Sequence, residues 1–497
     1  MGSIKKLAGE TAIYGMTTIV ARIINFFFVP LYTRVIDTDA FGVYSEIISY
    51  IAILQALFSF GMETTFFRFA NKDGNNPNKV FSTILVFLAS VSLAVLVSGI
   101  IFSGNIANIL GYAGHGEFIW CSAAILAIDS FTSVIFARLR YQQKALKFGI
   151  LKIIKILSET SLNLVLFLGF PAYATAHPDS FLLKFLSPVP DGGYILFAIL
   201  GSCIVSLILF LPVLLKTKFN FSPALWKQMM IYALPVALSQ LPGVLNDVTD
   251  RILFRFFSPE GESGSNLVGI FSANVKLAVL MTLFVQMFRF AAEPFFFNQS
   301  NKDSQKQIYA DVMKYFVIFC VFIFLFVALY LDIFKLFIGN AFRVGIGVVP
   351  IMLLANILLG INFNLSMWYK ISGHTKFAVN ITLSGLLATI VINAVFMPYF
   401  GYYAAACGHF LSYLAMIIIS WKLCKKYWFI PYDWKTVAIY IVFGIALFAL
   451  SRIIATPDGL FNFAINSVLI LAYICFVIRK EKIDLKNIKH LIKRKRK

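Results

Sequence analysis

The run GYILFAILGSCIVSLILFLPVL, residues 193–214, decides the fold. It holds no charged residue and is apolar on every face, so it lacks the in-out alternation of a barrel strand. As an α-helix it is long enough to cross about 30 Å of hydrocarbon, which takes about 20 residues. Working outward, further runs of the same kind lie at approximately 11–31, 41–62, 80–102, 117–137, 148–170, 229–249, 267–289, 308–331, 345–367, 377–397, 402–424, 435–455 and 459–478.

Composition leads to the same class. Of 497 residues, 60% are hydrophobic and 13% charged, against about 45–50% and about 25% in soluble domains; the mean hydropathy is +0.83. With half the usual charge missing, a water-facing surface cannot be built, and disordered, collagen-like and disulfide-scaffold chains are excluded as well. Cys121, Cys203, Cys320, Cys407, Cys424 and Cys475 lie in or at the edge of apolar runs without a CxxC pair, and are expected as small core hydrophobes. The net charge of +20 does not point to nucleic acid, because Lys and Arg occupy short connections and the tail Lys486 to Lys497. No small-residue cleavage site follows the first run, so no removable signal peptide is expected.

The basic residues also predict topology. With the N-terminus inside, most of the 43 Lys and Arg residues, from Lys5 and Lys6 onward, fall on the cytoplasmic side. Arg34, Lys184, Arg251, Arg255, Lys335, Arg343 and Arg452 fall on the other, and Arg22 and Lys276 lie well inside spans. That asymmetry predicts an even number of spans with both termini cytoplasmic.

The second half then repeats the first. Ile13-Tyr14-Gly15 matches Ile231-Tyr232-Ala233, Phe41-Gly42-Val43-Tyr44-Ser45 matches Val268-Gly269-Ile270-Phe271-Ser272, and Arg68 and Arg289 follow at similar distances. A six-span unit repeats in parallel, about an axis along the membrane normal. The expected fold class is therefore all-α, a polytopic membrane protein with about 14 transmembrane helices. An N-terminal six-helix bundle over 1–215 faces a C-terminal six-helix bundle over 216–428 across a cleft; two additional transmembrane helices follow over 429–480, then a basic cytoplasmic tail over 481–497.

The run Pro30-Leu31-Tyr32-Thr33-Arg34, followed by Phe41-Gly42-Val43-Tyr44, resembles the opening of bacterial polysaccharide flippases of the multidrug/oligosaccharidyl-lipid/polysaccharide exporter superfamily. Asp250-Arg251, Val268-Gly269-Ile270-Phe271-Ser272, Ala292-Glu293-Pro294-Phe295-Phe296, Trp368-Tyr369-Lys370 and Thr375-Lys376 extend the match in order. The resemblance implies a flippase that moves undecaprenyl-pyrophosphate-linked oligosaccharide across the bacterial cytoplasmic (inner) membrane for O-antigen, capsule or exopolysaccharide assembly. It implies polysaccharide polymerase or assembly proteins as partners and no cofactor. The related lipid II flippases carry basic residues on segments one and eight, but an acid and an arginine found there are replaced here by Ile23 and Glu46.

Such cargo needs a cationic, water-filled cavity open sideways to lipid. Arg22 and Lys276 sit about ten residues into segments one and eight, where each would cost roughly 2.5–3.5 kcal/mol if it faced lipid. They are candidates for a shared phosphate site, Arg as a planar fork and Lys as a mobile point charge; the alternative is a pairing with carboxylates that only holds helices together. Arg68 and Arg289, at inner ends with Arg138 and Arg140, either attract the incoming pyrophosphate or anchor the chain. Asp129 and Glu159, near mid-depth, and Glu46 are candidates for balancing those cations or for binding a coupling proton or sodium ion; for Asp129 and Glu159 the alternative is a fixed structural ion pair or a neutral hydrogen-bonded acid. Arg34, Asp250 and Arg251, with Asp247, lie at outer ends as candidate gate residues; for the three on segment seven a solvated cap is the alternative. Pro30, Pro235 and Pro242 are candidate bending points.

Enzyme chemistry finds little footing. His115, His177, His374, His409 and His490 show no metal-ligand spacing, and no GxSxG, HExxH or P-loop occurs. Two other functions remain open at this point: a multidrug-type cation antiporter, which the two central cations disfavour, and a membrane-embedded polysaccharide polymerase or ligase. The latter usually needs a large outer loop, and the longest outer connection here runs only from Pro171 to Gly192.

Overall fold

The computed structural model describes residues 2–184, 189–298 and 306–482, without the side chains at 2–14, 184, 293–295, 297 and 298. The side chains of Lys5, Lys6, Ile13, Tyr14, Lys184 and Glu293 to Phe295, and the tail from Lys486, lie outside the described residues.

No strand forms among the described residues. Thirteen helical runs and one bent pair are long and apolar enough to cross a membrane. In chain order they are α1 (Gly15–Val35), α2 (Thr38–Ala70), α3 (Pro77–Ile101), α4 (Gly116–Tyr141), α5 (Ala145–Ala176), α6 (Gly192–Leu215), α7 (Pro223–Phe257), α8 (Gly264–Leu277 with Val279–Ala292), α9 (Lys306–Leu329), α10 (Val348–Ile371), α11 (Phe377–Phe400), α12 (Tyr402–Tyr427), α13 (Trp434–Ile454) and α14 (Gly459–Lys480). The chain is a multi-pass membrane protein, as its hydropathy predicts.

Local chemistry sets the helix ends. Asp37 accepts from Ala40 N at 2.7 Å to start α2, Asp191 caps α6, Asp433 caps α13 and Asp458 caps α14. Pro77 and Pro223 open α3 and α7 at positions whose N–H has no helical partner. Within the spans, hydroxyls return to the preceding turn, as Ser45 does to Phe41 O and Thr33 to Val29 O, both at 2.8 Å. These hydroxyls thereby satisfy their own donors within hydrocarbon.

Two departures from the expected spans matter for the site. A hydropathy reading stops where charges begin, whereas a helix continues wherever each charge finds a partner. Thus α7 runs on to Phe257, carrying Asp250, Arg251 and Arg255 inside the helix rather than into a connection. In α8 the helix breaks at Ala278 and turns by 55°. Two cysteines, Cys407 and Cys475, are exposed rather than core residues, and all six are free thiols.

Two repeated segments meet at one end of the molecule. There α2 packs along the first piece of α8 with Gly42 against Gly269: a Cβ on Gly42 would lie 2.9 Å from Gly269 N, and one on Gly269 would lie 3.1 Å from Gly42 N. Gly339 comes against the Thr33 backbone at the same end, and Ser263 donates to Asp39 at 2.8 Å. Phe41 meets Phe342 edge to face, with ring centroids 5.6 Å apart. Away from this end, α13 and α14 attach to α9. Asn466 donates to Leu329 O at 2.7 Å, Tyr473 to Ile318 O at 2.8 Å, and Lys314 pairs with Glu481 at 2.6 Å.

Candidate functional site

Behind the Gly42–Gly269 contact, a cavity of about 250 Å³ opens between α1, α2, α5, α7 and α8. Its polar lining is Asn25 and Tyr32 from α1, Tyr44, Ser45 and Ser49 from α2, Glu159 from α5, Arg251 from α7, and Ser272 and Lys276 from α8. Phe41, on its apolar wall, separates it from the packed end.

The bend in α8 explains how Lys276 gets there. The break at Ala278 makes Lys276 part of a C-terminal helical turn, where unpaired carbonyls favour a cation. Its side chain is exposed although it sits well inside the span, because it faces the cavity. Arg22 is exposed as well, and Asn25, three residues on and on the same face of α1, lines the cavity. The charges of Arg22 and Lys276 act on one another, and those of Lys276 and Arg251 do also. Two cations, Arg251 and Lys276, thus line one polar space, and Arg22 lies near them, with Asp247 of α7 as its nearby carboxylate. Arg251 donates to Asp247 O at 2.9 Å, which turns its fork along the helix.

A second polar group lies behind α7. Asp250 is fully buried, with His409 Nε2 at 3.3 Å and Arg251 Nη1 at 3.7 Å, and Tyr413 donates to Asp247 at 3.4 Å. One turn earlier, Asn246 Oδ1 accepts from Thr389 and Ser412, both at 2.8 Å. Asp250 is therefore a core residue of α7 rather than part of a cap at an outer end, and Arg251 belongs to the cavity.

The other sequence candidates are placed elsewhere. Asp129 is held by Lys155 at 2.5 Å and Cys203 Sγ at 3.4 Å, so its charge is balanced within α4, α5 and α6, away from Arg22 and Lys276. Glu159, one turn beyond Lys155, does line the cavity. Glu46 is buried outside it, accepting from Arg255 Nε at 2.8 Å, Tyr112 at 2.7 Å and Tyr50 at 3.2 Å. Arg255 also donates to Leu110 O, so this network ties α2 to α7 and to the α3–α4 connection. Arg34 donates to Leu336 O at 3.1 Å. Arg68 lies 4.1 Å over the Tyr232 ring and Arg289 5.1 Å over Phe363; the structure does not bring either to the cavity.

Sequence reasoning missed His409, Tyr413, Lys155 and Arg255. The signal was present for the first two, since an ionisable or polar group inside a span points to function or to a buried partner. Arg255 was hidden by a span boundary drawn at the charges that precede it, whereas Lys155 lay inside the expected span at 148–170 and was passed over.

Comparison with known proteins follows the same architecture. The family described as polysaccharide biosynthesis protein matches residues 7–300. Among curated proteins no sequence match is found. Among solved structures, the lipid II flippase MurJ in an inward closed conformation aligns with a TM-score of 0.73 at 14% identity, covering 94% of this chain and 99% of that one. The inward-facing conformation of a multidrug resistance MATE family transporter of the MOP superfamily aligns with a TM-score of 0.60 at 15% identity, covering 84% of this chain and 95% of the other. At such identities the likeness is one of fold.

Proposed function

From the premise that the chain belongs to the polysaccharide biosynthesis protein family, we propose that it is a flippase for undecaprenyl-pyrophosphate-linked oligosaccharides in the bacterial cytoplasmic membrane. The observation that carries this reading is the cavity with Lys276 and Arg251 on its wall and Arg22 within electrostatic reach. Preorganised cations in a space shielded from bulk water suit a pyrophosphate, while the polyprenyl tail stays in lipid.

In this reading residues 1–215 and 216–428 form two bundles, 429–480 is an appendage, and both termini are cytoplasmic. The Gly42–Gly269 end is then the outer one, closed while the cargo headgroup enters from inside. Arg22, Arg251 and Lys276 neutralise the phosphates, and Asp247 and Glu159 counter them when the site is empty. Arg34, near Leu336, and Asp250 with His409 respond as the bundles rock apart, and Pro30, Pro235 and Pro242 inside α1 and α7 supply compliance. Drive comes from membrane potential, from product removal, or from a proton or sodium ion taken up by the buried carboxylates. One structural neighbour is a lipid II flippase, which supports lipid-linked cargo. The chain itself is read as a transporter rather than an enzyme.

The test is reconstitution in liposomes with a labelled polyprenyl-pyrophosphate oligosaccharide, comparing wild type with Arg22→Ala and Lys276→Ala. Leaflet exchange by wild type and its loss in both variants is the expected result. Normal exchange by both variants at matched expression refutes the site. Export of an organic cation without lipid movement favours an antiporter, and growth of a longer glycan favours a polymerase.

A further inference from the structure

Far from the cavity, a pocket of about 290 Å³ opens where the α4–α5 turn meets the end of α6. Its polar lining is Arg138, Gln142, Lys144, Lys147, Lys216 and Thr217, and no carboxylate lines it among the described residues. Four cations share one concavity. Arg138 is held in place by Asn78 Oδ1 at 2.8 Å and stacks over Phe81 at 4.2 Å. The Lys144, Lys147 and Lys216 side chains are exposed and make no hydrogen bond or ion pair among the described residues. Like charges held together without counter-charges are a standing invitation to an anion.

Depth and surroundings identify the anion. Arg138 lies in the last turn of α4, Lys144 and Lys147 flank the start of α5, and Lys216 ends α6. Helix ends of spans this long fall at the headgroup layer. Directly along the same helices, Leu146 is 72% and Leu215 84% exposed, with Ile150 and Leu211 beside them. These side chains are expected to face lipid tails. The pocket therefore couples a cationic floor to an acyl-facing wall, and its volume is room for about ten waters, enough for a phosphodiester with its glycerol. We propose that this pocket binds the phosphate headgroup of an anionic phospholipid of the surrounding bilayer, with Arg138 as the fixed fork and the three lysines as flexible point charges.

The proposal is independent of the cargo cavity. It is tested on the full-length protein in detergent, using native mass spectrometry and thermal unfolding with added phosphatidylglycerol, cardiolipin, phosphatidylcholine or inorganic phosphate. Wild type is expected to retain and be stabilised by the two anionic lipids only. The triple variant Lys144→Gln, Lys147→Gln, Lys216→Gln removes only exposed charges. It is expected to lose about tenfold or more in apparent affinity for them. A control triple at another basic helix end, Lys422→Gln, Lys425→Gln, Lys426→Gln, should keep that affinity. Equal retention by the pocket triple and wild type overturns the site. Stabilisation of wild type by inorganic phosphate as strong as by lipid shows a free-anion site instead and overturns the lipid assignment. Displacement of phosphatidylglycerol from the wild type by undecaprenyl phosphate at equimolar dose assigns the phosphate to the cargo, and overturns it too.

Discussion

Gly42 of α2 and Gly269 of α8 occupy matching positions in the repeated stretches and pack backbone to backbone, each blocking the space a Cβ of the other would need. The two contacts are reciprocal: the Cβ of Gly42 would strike the Ser265 carbonyl, and that of Gly269 the Thr38 carbonyl, each four residues before the facing glycine. Such symmetry places a local two-fold axis through the closed end, between the two copies of one motif.

Adding side chains there should open that end. Gly269→Val and Gly42→Val cannot form the contact without backbone displacement, because the obstructing atoms belong to the main chain. Spin labels at Val35 and Glu262, with exposed Cys407 and Cys475 replaced by serine, should report a longer and broader distance distribution in either variant. An unchanged distribution would show that the glycines do not govern closure.

Glu46 and Arg255 should behave as a latch across α2 and α7. The Glu46 side chain is 4% exposed and accepts from three donors, so Arg255→Met leaves a buried carboxylate without its cation. Removal of one partner of such a pair costs about 3–5 kcal/mol, read as a clear fall in the thermal midpoint. Glu46→Gln combined with Arg255→Met should recover part of that loss, since the stranded charge is gone. No recovery in the double variant would place the effect in packing instead.

Arg251 should matter for transport as much as Lys276 does. It lines the cavity and its charge acts on Lys276, so Arg251→Gln should cut leaflet exchange by at least roughly tenfold, the size of one lost charge-assisted contact of about 1.5–3 kcal/mol. Arg68→Gln, remote from the cavity, should leave exchange within about twofold; equal loss in both would point to a general requirement for basic charge.

The attachment of α14 should weaken in acid. Burial alone would raise the Glu481 carboxyl, just beyond the α14 span, but hydrogen bonds from Lys314 at 2.6 Å and Tyr440 at 2.7 Å outweigh it and hold the carboxyl below its ordinary value. A depressed carboxyl contributes stability above the unfolded value of about 4.3 and loses it as pH falls through the folded one. Unfolding midpoints should therefore drop in wild type below about pH 4, and Glu481→Gln should show a smaller drop from a lower starting point. Identical acid slopes in the two proteins would rule this linkage out.

Much of the fold was legible in the sequence because hydrocarbon imposes one simple demand. A span must be about 20 apolar residues with its backbone bonds satisfied internally, and runs such as 193–214 meet it without reference to any other part of the chain. The anomalous charges Arg22 and Lys276 stood out for the same reason.

Partnership was not legible. Nothing local distinguishes Asp129, satisfied by Lys155, from Glu159, which faces the cavity one helical turn past that lysine. Glu46 meets Arg255 across more than two hundred positions of chain, and Asp250 finds His409 on another span. The bend that brings Lys276 to a helix end, and the turn and helix end that gather Lys144, Lys147 and Lys216, arise only when helices pack. Hydropathy is a property of each segment by itself, so the sequence alone determined which segments enter the membrane. Which charge is neutralised, and which is left to face a ligand, depends on distances between segments, and these only the tertiary structure decided.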